Sequence, residues 1–580
     1  MTDDARARSL PARRLGYRRR WRHLDKSVFL WLALIAVLAV LVINPLARLL
    51  WVSVQHADTG ALTLENYAVA YGRWRYIEAL INSLVIGLSV AVVCTLFGVP
   101  MAWAVSRTDM PGKGLVWAAI LGTFIVPSYL GAVAWILLAG PNAGWLNRAY
   151  MWLTGAGAGP FNVYTKSGLV LVIACYSFPY TFVFTRSALD LISSEMEEAA
   201  STLGAGVVRT TLRVTLPLTL PAILGAFIVQ FLEAIALFGA PALIALPGRF
   251  QVMTTMLWQF FEFPPKVQVA AAYAMPLLAI TVFLFWLQRR IIARKGYVAL
   301  TGKGGERRLV ALGRGRWVML GYCLVVTSLS FFLPMLVVLQ AAFAKAWGRG
   351  FSLDNLTLNN LRFVLVDQPA TRTATLHTFV YGGASSIIAL GLAFAIAYIV
   401  HRRLVPFGHV LSYLAMAPFV IPGIVLAIGF YAAYTSPPLV LYGTAWILIL
   451  AFATRFLPIA YANSDAALRS MNPEMEDAVR ILGGGRLLAL RRVVGPLLKR
   501  GLAGAFILVF IPATRELSSA IFLYTTGTQV LSVLLFDKSD EGNFELLSSI
   551  GLVLVVGTVA LVMLGLRLVG RDFMLRRTAP

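Results

Sequence analysis

Six carboxylates, arranged as two copies of one pattern, are the residues of this chain whose types and spacing indicate a defined task. The first copy comprises Glu195, Glu197, Glu198, Ala199, Ala200, Gly204 and Pro217. The second copy comprises Glu474, Glu476, Asp477, Ala478, Gly483 and Pro496, each 279 residues after its equivalent. Short acidic helices are typical of surfaces that a partner protein recognises, rather than of catalytic sites.

Each copy predicts a short helix, a glycine turn and a second short helix. Ser193 and Asn472 are natural N-caps, and the glutamates that follow them lie where the helix dipole favours negative charge. Apolar residues recur at helical spacing and form a narrow stripe, which in the first copy consists of Met196, Ala199, Ala200 and Leu203. A small, acidic surface of this kind favours docking in a protein groove. The alternative is two unrelated helices lying on lipid, but such helices prefer bulky apolar residues and a basic face.

Three further charges lie inside apolar stretches, where a charge costs at least ~2.5 kcal/mol at the centre of a membrane helix. Glu233 interrupts one stretch, and Arg515 with Glu516 interrupts another. We therefore expect Glu233 and Glu516 to border a path for a cationic or metal substrate. The alternative is that Arg515 and Glu516 pair with other groups to hold the chain together. Asn82 and His377 are weaker candidates for lining the path, because a lone histidine is more often a satisfied helix-end residue than a metal ligand.

The sequence contains no known catalytic or nucleotide-binding pattern. A Gly-x4-Gly-Lys-Ser/Thr loop is missing, and the five histidines are scattered. The three cysteines lie far apart in apolar runs, so we expect neither disulfides nor a metal site. Lys and Arg outnumber Asp and Glu by 50 to 26, without a DNA-binding motif. In a membrane protein such an excess marks cytoplasmic loops, so we expect no catalytic residue, no cofactor bound by this chain and no nucleic-acid partner.

Membrane spans are the elements that must position these residues, because 59% of the 580 residues are hydrophobic. This composition excludes a soluble globular protein. Twelve apolar windows approach the ~20 residues that a helix needs to cross a bilayer. They lie at about 28–53, 80–104, 115–139, 168–189, 221–245, 267–287, 317–341, 374–400, 409–434, 442–463, 501–524 and 546–568. The sequence thus predicts an all-α polytopic membrane protein with about twelve transmembrane helices.

Basic segments divide the windows into two halves. The predicted parts are a basic N-terminal segment 1–26, a first six-helix half 27–288, a basic linker 289–316, a second six-helix half 317–570 and a tail 571–580, with acidic loops at 190–218 and 469–497. The positive-inside rule predicts that both termini, the linker and both acidic loops are cytoplasmic. Because each half has an even number of spans, the halves are predicted to be parallel repeats.

The acidic-Ala-Ala-x3-Gly-x9-aliphatic-x-Leu-Pro loop within six-span halves resembles the permeases of binding-protein-dependent ABC importers, the type I family with the EAA motif. The first copy fits nearly in full, whereas the second has Asp477 for Glu, Val479 for the second Ala and Gly495 before its proline. The resemblance implies the type I importer permease fold, with two coupling helices that dock in clefts of a cytoplasmic ATPase. It also implies two ATPase copies that carry ATP and Mg, a periplasmic or extracellular substrate-binding protein, and a bacterial inner-membrane location.

The fused length and four segments look like the ferric-iron subgroup of that family. The segments are Leu62-Thr-Leu-Glu-Asn-Tyr67, Thr514-Arg-Glu-Leu-Ser-Ser-Ala-Ile-Phe-Leu-Tyr524, Phe238-Gly-Ala-Pro241 and Leu246-Pro-Gly-Arg249. This similarity implies ferric iron as the substrate. Relatives of the subgroup are associated with thiamine, aminoethylphosphonate, polyamines or sugar phosphates, so these substrates remain alternatives. A twelve-span secondary transporter also has two parallel six-span halves, but such a carrier has no reason to keep an acidic docking loop after its fourth span.

Overall fold

In a computed structural model, residues 26–192, 194–294, 309–350, 352–539 and 541–569 are described. Their regular structure is helical, apart from three isolated β-bridges. The predicted tail, the predicted N-terminal segment apart from its last residue, and the middle half of the predicted linker, 295–308, lie outside this part of the chain. The all-α prediction is therefore confirmed for the described residues.

Ten described helices are long and apolar enough to cross a membrane, and two further helix pairs are bent by 106° and 111°. We number these elements as spans 1 to 12 in chain order, with the bent pairs as spans 3 and 9. Spans 1 to 6 are Ser27–Ser53, Trp74–Arg107, Lys113–Ile125 with Ser128–Ala139, Lys166–Asp190, Val207–Ala236 and Val267–Ile291. Spans 7 to 12 are Gly315–Ala342, Pro369–His401, Gly408–Val420 with Gly423–Tyr434, Ala445–Arg469, Arg486–Thr514 and Phe544–Gly565.

Spans 3 and 9 differ from their prediction as single windows at 115–139 and 409–434. Each is broken at a proline, Pro127 in the first half and Pro422 in the second. Proline has no N–H to donate, and it pushes the preceding residue out of the helical conformation. The residue before each proline is indeed extended. We call the helices after the two breaks, Ser128–Ala139 and Gly423–Tyr434, the second arms.

The second helix of each acidic loop is not the short, separate helix that the sequence predicted. Span 5 begins at Val207 and span 11 at Arg486, so each runs without interruption from the loop into the membrane. Pro217 and Pro496 are tolerated because a wider π turn precedes each of them. The π turn includes the residue four positions before the proline. In a regular α-helix the carbonyl of that residue would clash with the proline ring. Described π turns also end two residues before Pro45, Pro334 and Pro369.

The two halves interlock through their first spans. Each first span packs against the second arm of the opposite half; the segments in contact are Asn44–Ser53 with Gly423–Tyr434, and Leu333–Ala342 with Ser128–Ala139. The Tyr434 hydroxyl also donates a hydrogen bond to the Val40 carbonyl, within the π turn of span 1. Each half therefore completes the packing of the other.

The described end of the linker is attached to the turn that follows span 2. The Val310 N–H donates to the Arg107 carbonyl at 2.8 Å, and the Asp109 N–H donates to the Val310 carbonyl at 3.1 Å. The Asp109 carboxylate accepts from the Leu312 N–H at 2.9 Å. At its other end the linker begins later than predicted, because the helix of span 6 continues to Arg294.

We predict that Gly429→Ala destabilises the interlocked halves. A Cβ at this position would lie 2.7 Å from the Pro45 carbonyl oxygen in span 1, so the two backbones would have to separate. Overpacking of this kind costs about 1–3 kcal/mol, more than the roughly 1 kcal/mol that alanine gains over glycine in a helix. Thermal unfolding in detergent should show a lower midpoint.

Gly383→Ala in span 8 is the matched control, because nothing lies within 4 Å of the added Cβ. This variant should unfold at the wild-type temperature or slightly above it. Equal midpoints for the two variants would contradict the close contact between span 1 and the second arm.

Candidate functional site

The two acidic loops form short helices, Ser194–Thr202 and Glu474–Ile481, which we call the acidic helices. The Asn472 side-chain oxygen accepts a hydrogen bond from the Glu474 N–H at 3.1 Å, as predicted for an N-cap. Ser193, the other predicted N-cap, lies outside the described residues. Gly204 and Gly483 have φ values of +80° and +82° after the helices, a left-handed conformation that glycine adopts without steric cost.

The apolar stripe of each acidic helix is open to solvent. Met196 and Met475 are exposed, and Leu203 and Leu482 are 88% and 87% exposed. Ala199 and Ala478 are exposed as well. Large apolar side chains left uncovered beside carboxylates indicate a surface that another protein covers.

The carboxylates divide into an outward and an inward set. The outward set is exposed and consists of Glu195, Glu198, Glu474 and Asp477. The inward set consists of Glu197 and Glu476, which are only 8% and 6% exposed. Since successive residues of a helix point about 100° apart, neighbouring carboxylates face opposite environments.

Glu197 is bound by groups from two spans. The Arg107 guanidinium, at the end of span 2, lies 3.5 Å from the Glu197 carboxylate. The Thr215 hydroxyl of span 5 donates to the same carboxylate at 2.7 Å. Arg107 also donates to the carbonyls of Leu189 and Ile192 at the end of span 4. This arginine therefore joins the ends of spans 2 and 4 to the acidic helix.

Glu476 has an equivalent partner in the second half. The Arg402 guanidinium, which follows span 8, lies 2.9 Å from the Glu476 carboxylate. The Tyr398 hydroxyl of span 8 donates a hydrogen bond to the same carboxylate. Both acidic helices are thus attached by a buried ion pair to the end of the second span of their own half.

Both acidic helices lie on one face of the molecule. Span 1 begins at this face, since Ser27 accepts a hydrogen bond from Arg486, which opens span 11 directly after the second acidic helix. Span 2 returns to the same face and ends at Arg107, beside the first acidic helix. The two acidic helices therefore lie on the same side of the bundle, as the prediction of parallel repeats requires.

A second group of charges lies deep in the bundle, between the bent pairs. The Glu516 carboxylate lies 3.0 Å from the Arg455 guanidinium of span 10 and accepts hydrogen bonds from the Ser519 N–H and hydroxyl. Arg455 packs directly on Gly423, where a Cβ would lie 1.5 Å from a guanidinium nitrogen. Sequence reasoning missed Arg455, although it interrupts an apolar stretch in the same way as Glu516.

Arg515 extends this charged group to the other half. Its guanidinium donates to the Phe124 carbonyl near the break of span 3 and lies 5.1 Å from the centre of the Phe124 ring. Among the described residues Glu233 has no hydrogen bond or ion pair. Of the two carboxylates predicted to border a path, the structure pairs Glu516 and leaves Glu233 without a direct partner.

Asn82 and His377 hold the opposite face together. Asn82 donates to the Gln251 carbonyl at 2.9 Å, and the His377 ring contacts the Gln529 carbonyl at 3.0 Å. The residues next to them, Ser83 and Thr378, accept the N–H groups of Met253 and Leu531. His377 also stacks on Tyr381 with ring centres 4.8 Å apart. In each half, two of these side chains bind the equivalent loop to the second span of that half. Asn82 and His377 therefore have a structural role.

No group of three or more His, Cys, Asp or Glu residues that could hold a metal ion occurs in the described part of the chain. The three cysteines are buried and unbonded.

Known proteins similar to this chain share its membrane character. Residues 94–297 match the family model described as a binding-protein-dependent transport system inner membrane component. The ferric transport system permease protein FbpB of Actinobacillus pleuropneumoniae is 24% identical over 517 residues, which cover 85% of this chain and 71% of that protein. The Fe(3+)-transport system permease protein FbpB 2 of Haemophilus influenzae is 21% identical, covering 83% and 88% of the two chains.

Two further similarities cover less of the chain. A 2-aminoethylphosphonate transport system permease protein, PhnV, of Salmonella typhi is 28% identical over 233 residues, which are 40% of this chain and 88% of that protein. Among solved structures, a bacterial ABC transporter involved in import of the acidic polysaccharide alginate aligns with a TM-score of 0.39 and 17% identity, over 47% of this chain and 98% of that chain.

We predict that Arg455→Met strongly destabilises the protein, because it leaves the buried Glu516 carboxylate without its ion-pair partner. Breaking one side of a buried pair costs about 3–5 kcal/mol. The double variant Arg455→Met with Glu516→Met, which removes both charges, should recover much of this loss. The measurement is thermal unfolding of the three proteins in detergent, and a double variant no more stable than the single one would contradict the pairing.

Proposed function

We propose that this chain is an inner membrane component of a binding-protein-dependent transport system, because residues 94–297 match that family and ferric transport permeases are similar over most of the chain. Its two acidic helices receive the force of a separate ATPase. It is the permease subunit of a type I ABC importer. This proposal is supported by one observation: both acidic helices lie on one face, and their apolar stripes and outward carboxylates are exposed to solvent.

Energy must come from a partner, because the sequence has no nucleotide-binding loop. Two ATPase copies, each holding ATP and Mg, would each cover one acidic helix at the cytoplasmic face. A binding protein would deliver the substrate to the opposite face, where Asn82 and His377 bind the loops of their halves. Two helices of the same shape, related by parallel repeats, suit two copies of one ATPase subunit.

The route of force into the bundle follows the continuous helices. Each acidic helix passes through a glycine turn into span 5 or span 11 without a second break. Span 5 carries Glu233, and span 11 ends directly before Arg515 and Glu516. A displacement of an acidic helix would therefore reach the charged group between the bent pairs. The residues of this group would move apart from one another as the path opens. Glu233, which has no direct partner in the described structure, is the carboxylate best placed to meet a cationic substrate.

Ferric iron is the substrate that we propose, because similar proteins over most of the chain are named as ferric transport permeases. The alternative is 2-aminoethylphosphonate, since a permease named for that compound is 28% identical over 40% of this chain. A phosphonate carries a negative charge, so its path would need cationic side chains such as Arg515 rather than a free carboxylate.

We expect Glu198→Lys combined with Asp477→Lys to weaken capture of the ATPase. Both residues are exposed on the acidic helices, so the change cancels the charge of the outward carboxylates on each helix without opening the bundle. Affinity purification of the permease should recover less ATPase, while thermal unfolding of the permease alone stays at the wild-type midpoint. Glu78→Lys, in the opening turns of span 2 at the far face, is a matched charge-reversal control. Undiminished recovery of ATPase with the double variant would count against docking through the acidic helices.

Substrate identity is decided by uptake in proteoliposomes that contain the permease, its ATPase and its binding protein. We expect ATP-dependent accumulation of radiolabelled ferric iron, and none of labelled 2-aminoethylphosphonate. Glu233→Gln should slow iron uptake while ATPase capture is unchanged. Normal iron uptake by Glu233→Gln would remove this residue from the path, and uptake of the phosphonate alone would overturn the proposed substrate.

A further inference from the structure

We propose that Glu197 and Glu476 are positioning residues that fasten each acidic helix to the second span of its half, and that they do not contact the ATPase. The inference rests on the proposed function, since it concerns how motion of a docked helix reaches the membrane. It assigns opposite tasks to carboxylates that are neighbours in the sequence. Glu198 and Asp477 face outward to the partner, and Glu197 and Glu476 face inward to the bundle.

Burial keeps both inward carboxylates away from a docked partner. Glu197 and Glu476 are 8% and 6% exposed within this chain alone, so a docked protein could reach little of either carboxylate. Each carboxylate is already engaged by a guanidinium at 3.5 Å or 2.9 Å. A buried charge pair holds its geometry strongly, because separating the partners leaves each charge unpaired away from water.

Arg107 joins several elements to the first acidic helix. Besides Glu197 it binds the carbonyls of Leu189 and Ile192, which end span 4, and its own carbonyl accepts the linker N–H of Val310. The acidic helix is therefore joined through Arg107 to spans 2 and 4 and to the linker. The covalent continuation of this helix into span 5 is therefore one of several connections between the helix and the bundle.

The two halves hold their inward carboxylates with different hydroxyl donors. In the first half, Thr215 of span 5 donates to Glu197, so that carboxylate bridges spans 2 and 5. The equivalent position in span 11 is Val494, which has no side-chain donor. The second half uses Tyr398 of span 8, one helical turn before Arg402, where the first half has Trp103. Both fastenings in the second half therefore come from span 8 or its end.

A consequence distinguishes fastening from docking. If Glu197 only fastened the helix, its removal would leave the outward docking surface intact, so the ATPase would still bind and hydrolyse ATP. The helix would then move without drawing span 2 along, and less substrate would cross for each ATP hydrolysed. A docking role would instead lower ATPase capture, and a purely structural role would lower stability, hydrolysis and transport together.

The experiment compares Glu197→Gln and Glu476→Gln with the outward variants Glu198→Gln and Asp477→Asn. The complete permease is reconstituted with its ATPase and a ferric-iron-loaded binding protein, and ATP hydrolysed per iron transported is measured beside the amount of bound ATPase. We expect the inward variants to raise the ratio about fivefold or more, the low end of coupling between linked sites, with ATPase binding unchanged. The outward variants should lower ATPase binding and leave the ratio unchanged.

A second readout does not depend on the substrate. Spin labels at Ser201→Cys on the acidic helix, outside its apolar stripe, and at Ser106→Cys at the end of span 2 report the distance between these elements when ATP is added to the complex with the ATPase. We expect one narrow distance in the wild-type background and at least two in Glu197→Gln.

The outcomes separate the two proposals. Failure of the ATPase to bind the wild-type permease would overturn the proposed function. ATPase binding with an unchanged ATP-to-iron ratio and an unchanged distance in Glu197→Gln would overturn the fastening role alone. Loss of ATPase binding in Glu197→Gln, with the permease still folded, would also overturn it and assign Glu197 to docking.

Discussion

A carboxylate removed from water must be paired, and this constraint organises the functional parts of the molecule. Glu197, Glu476 and Glu516 are each less than a tenth exposed, and each is met by an arginine from a different helix. Such pairs contribute little net stability compared with apolar packing, but they define which helix ends lie together, because the wrong arrangement leaves a bare charge. In this chain they attach the acidic helices to the bundle and hold the region between the bent pairs.

The two charged regions lie at opposite ends of the same helices. Span 11 starts beside the second acidic helix and ends at Arg515, whose guanidinium reaches Phe124 in the other half. A rigid helix with a fixed group at each end transmits displacement without needing a chain of small side-chain movements. The π turns before Pro217 and Pro496 lie near the start of these helices, so the local irregularity is at the loop rather than in the membrane.

Much of this arrangement was accessible from the sequence, and the remainder was not for identifiable reasons. The acidic helices and their glycine turns follow from local preferences, which the chain satisfies without outside help. The breaks at Pro127 and Pro422 were not predictable from proline alone, since Pro100, Pro179 and Pro276 lie inside unbroken helices. The inward turn of Glu197 depends on Arg107, 90 residues earlier, and local patterns carry no information about such a pair. Arg455 was accessible by the rule that identified Glu516.

The interlocking of the first spans bears on how the protein is made. Tyr434 and the Val40 carbonyl that it binds are 394 residues apart in the chain. At a synthesis rate of about 5–20 residues per second, roughly 20 to 80 s pass before the partner of span 1 leaves the ribosome. During that interval the π turn and the face of span 1 that later meets the second arm are in contact with lipid or insertion machinery. Assembly of the first half is thus completed only late in biogenesis, which makes a single fused polypeptide an advantage, since both partners are inserted at the same place in the membrane.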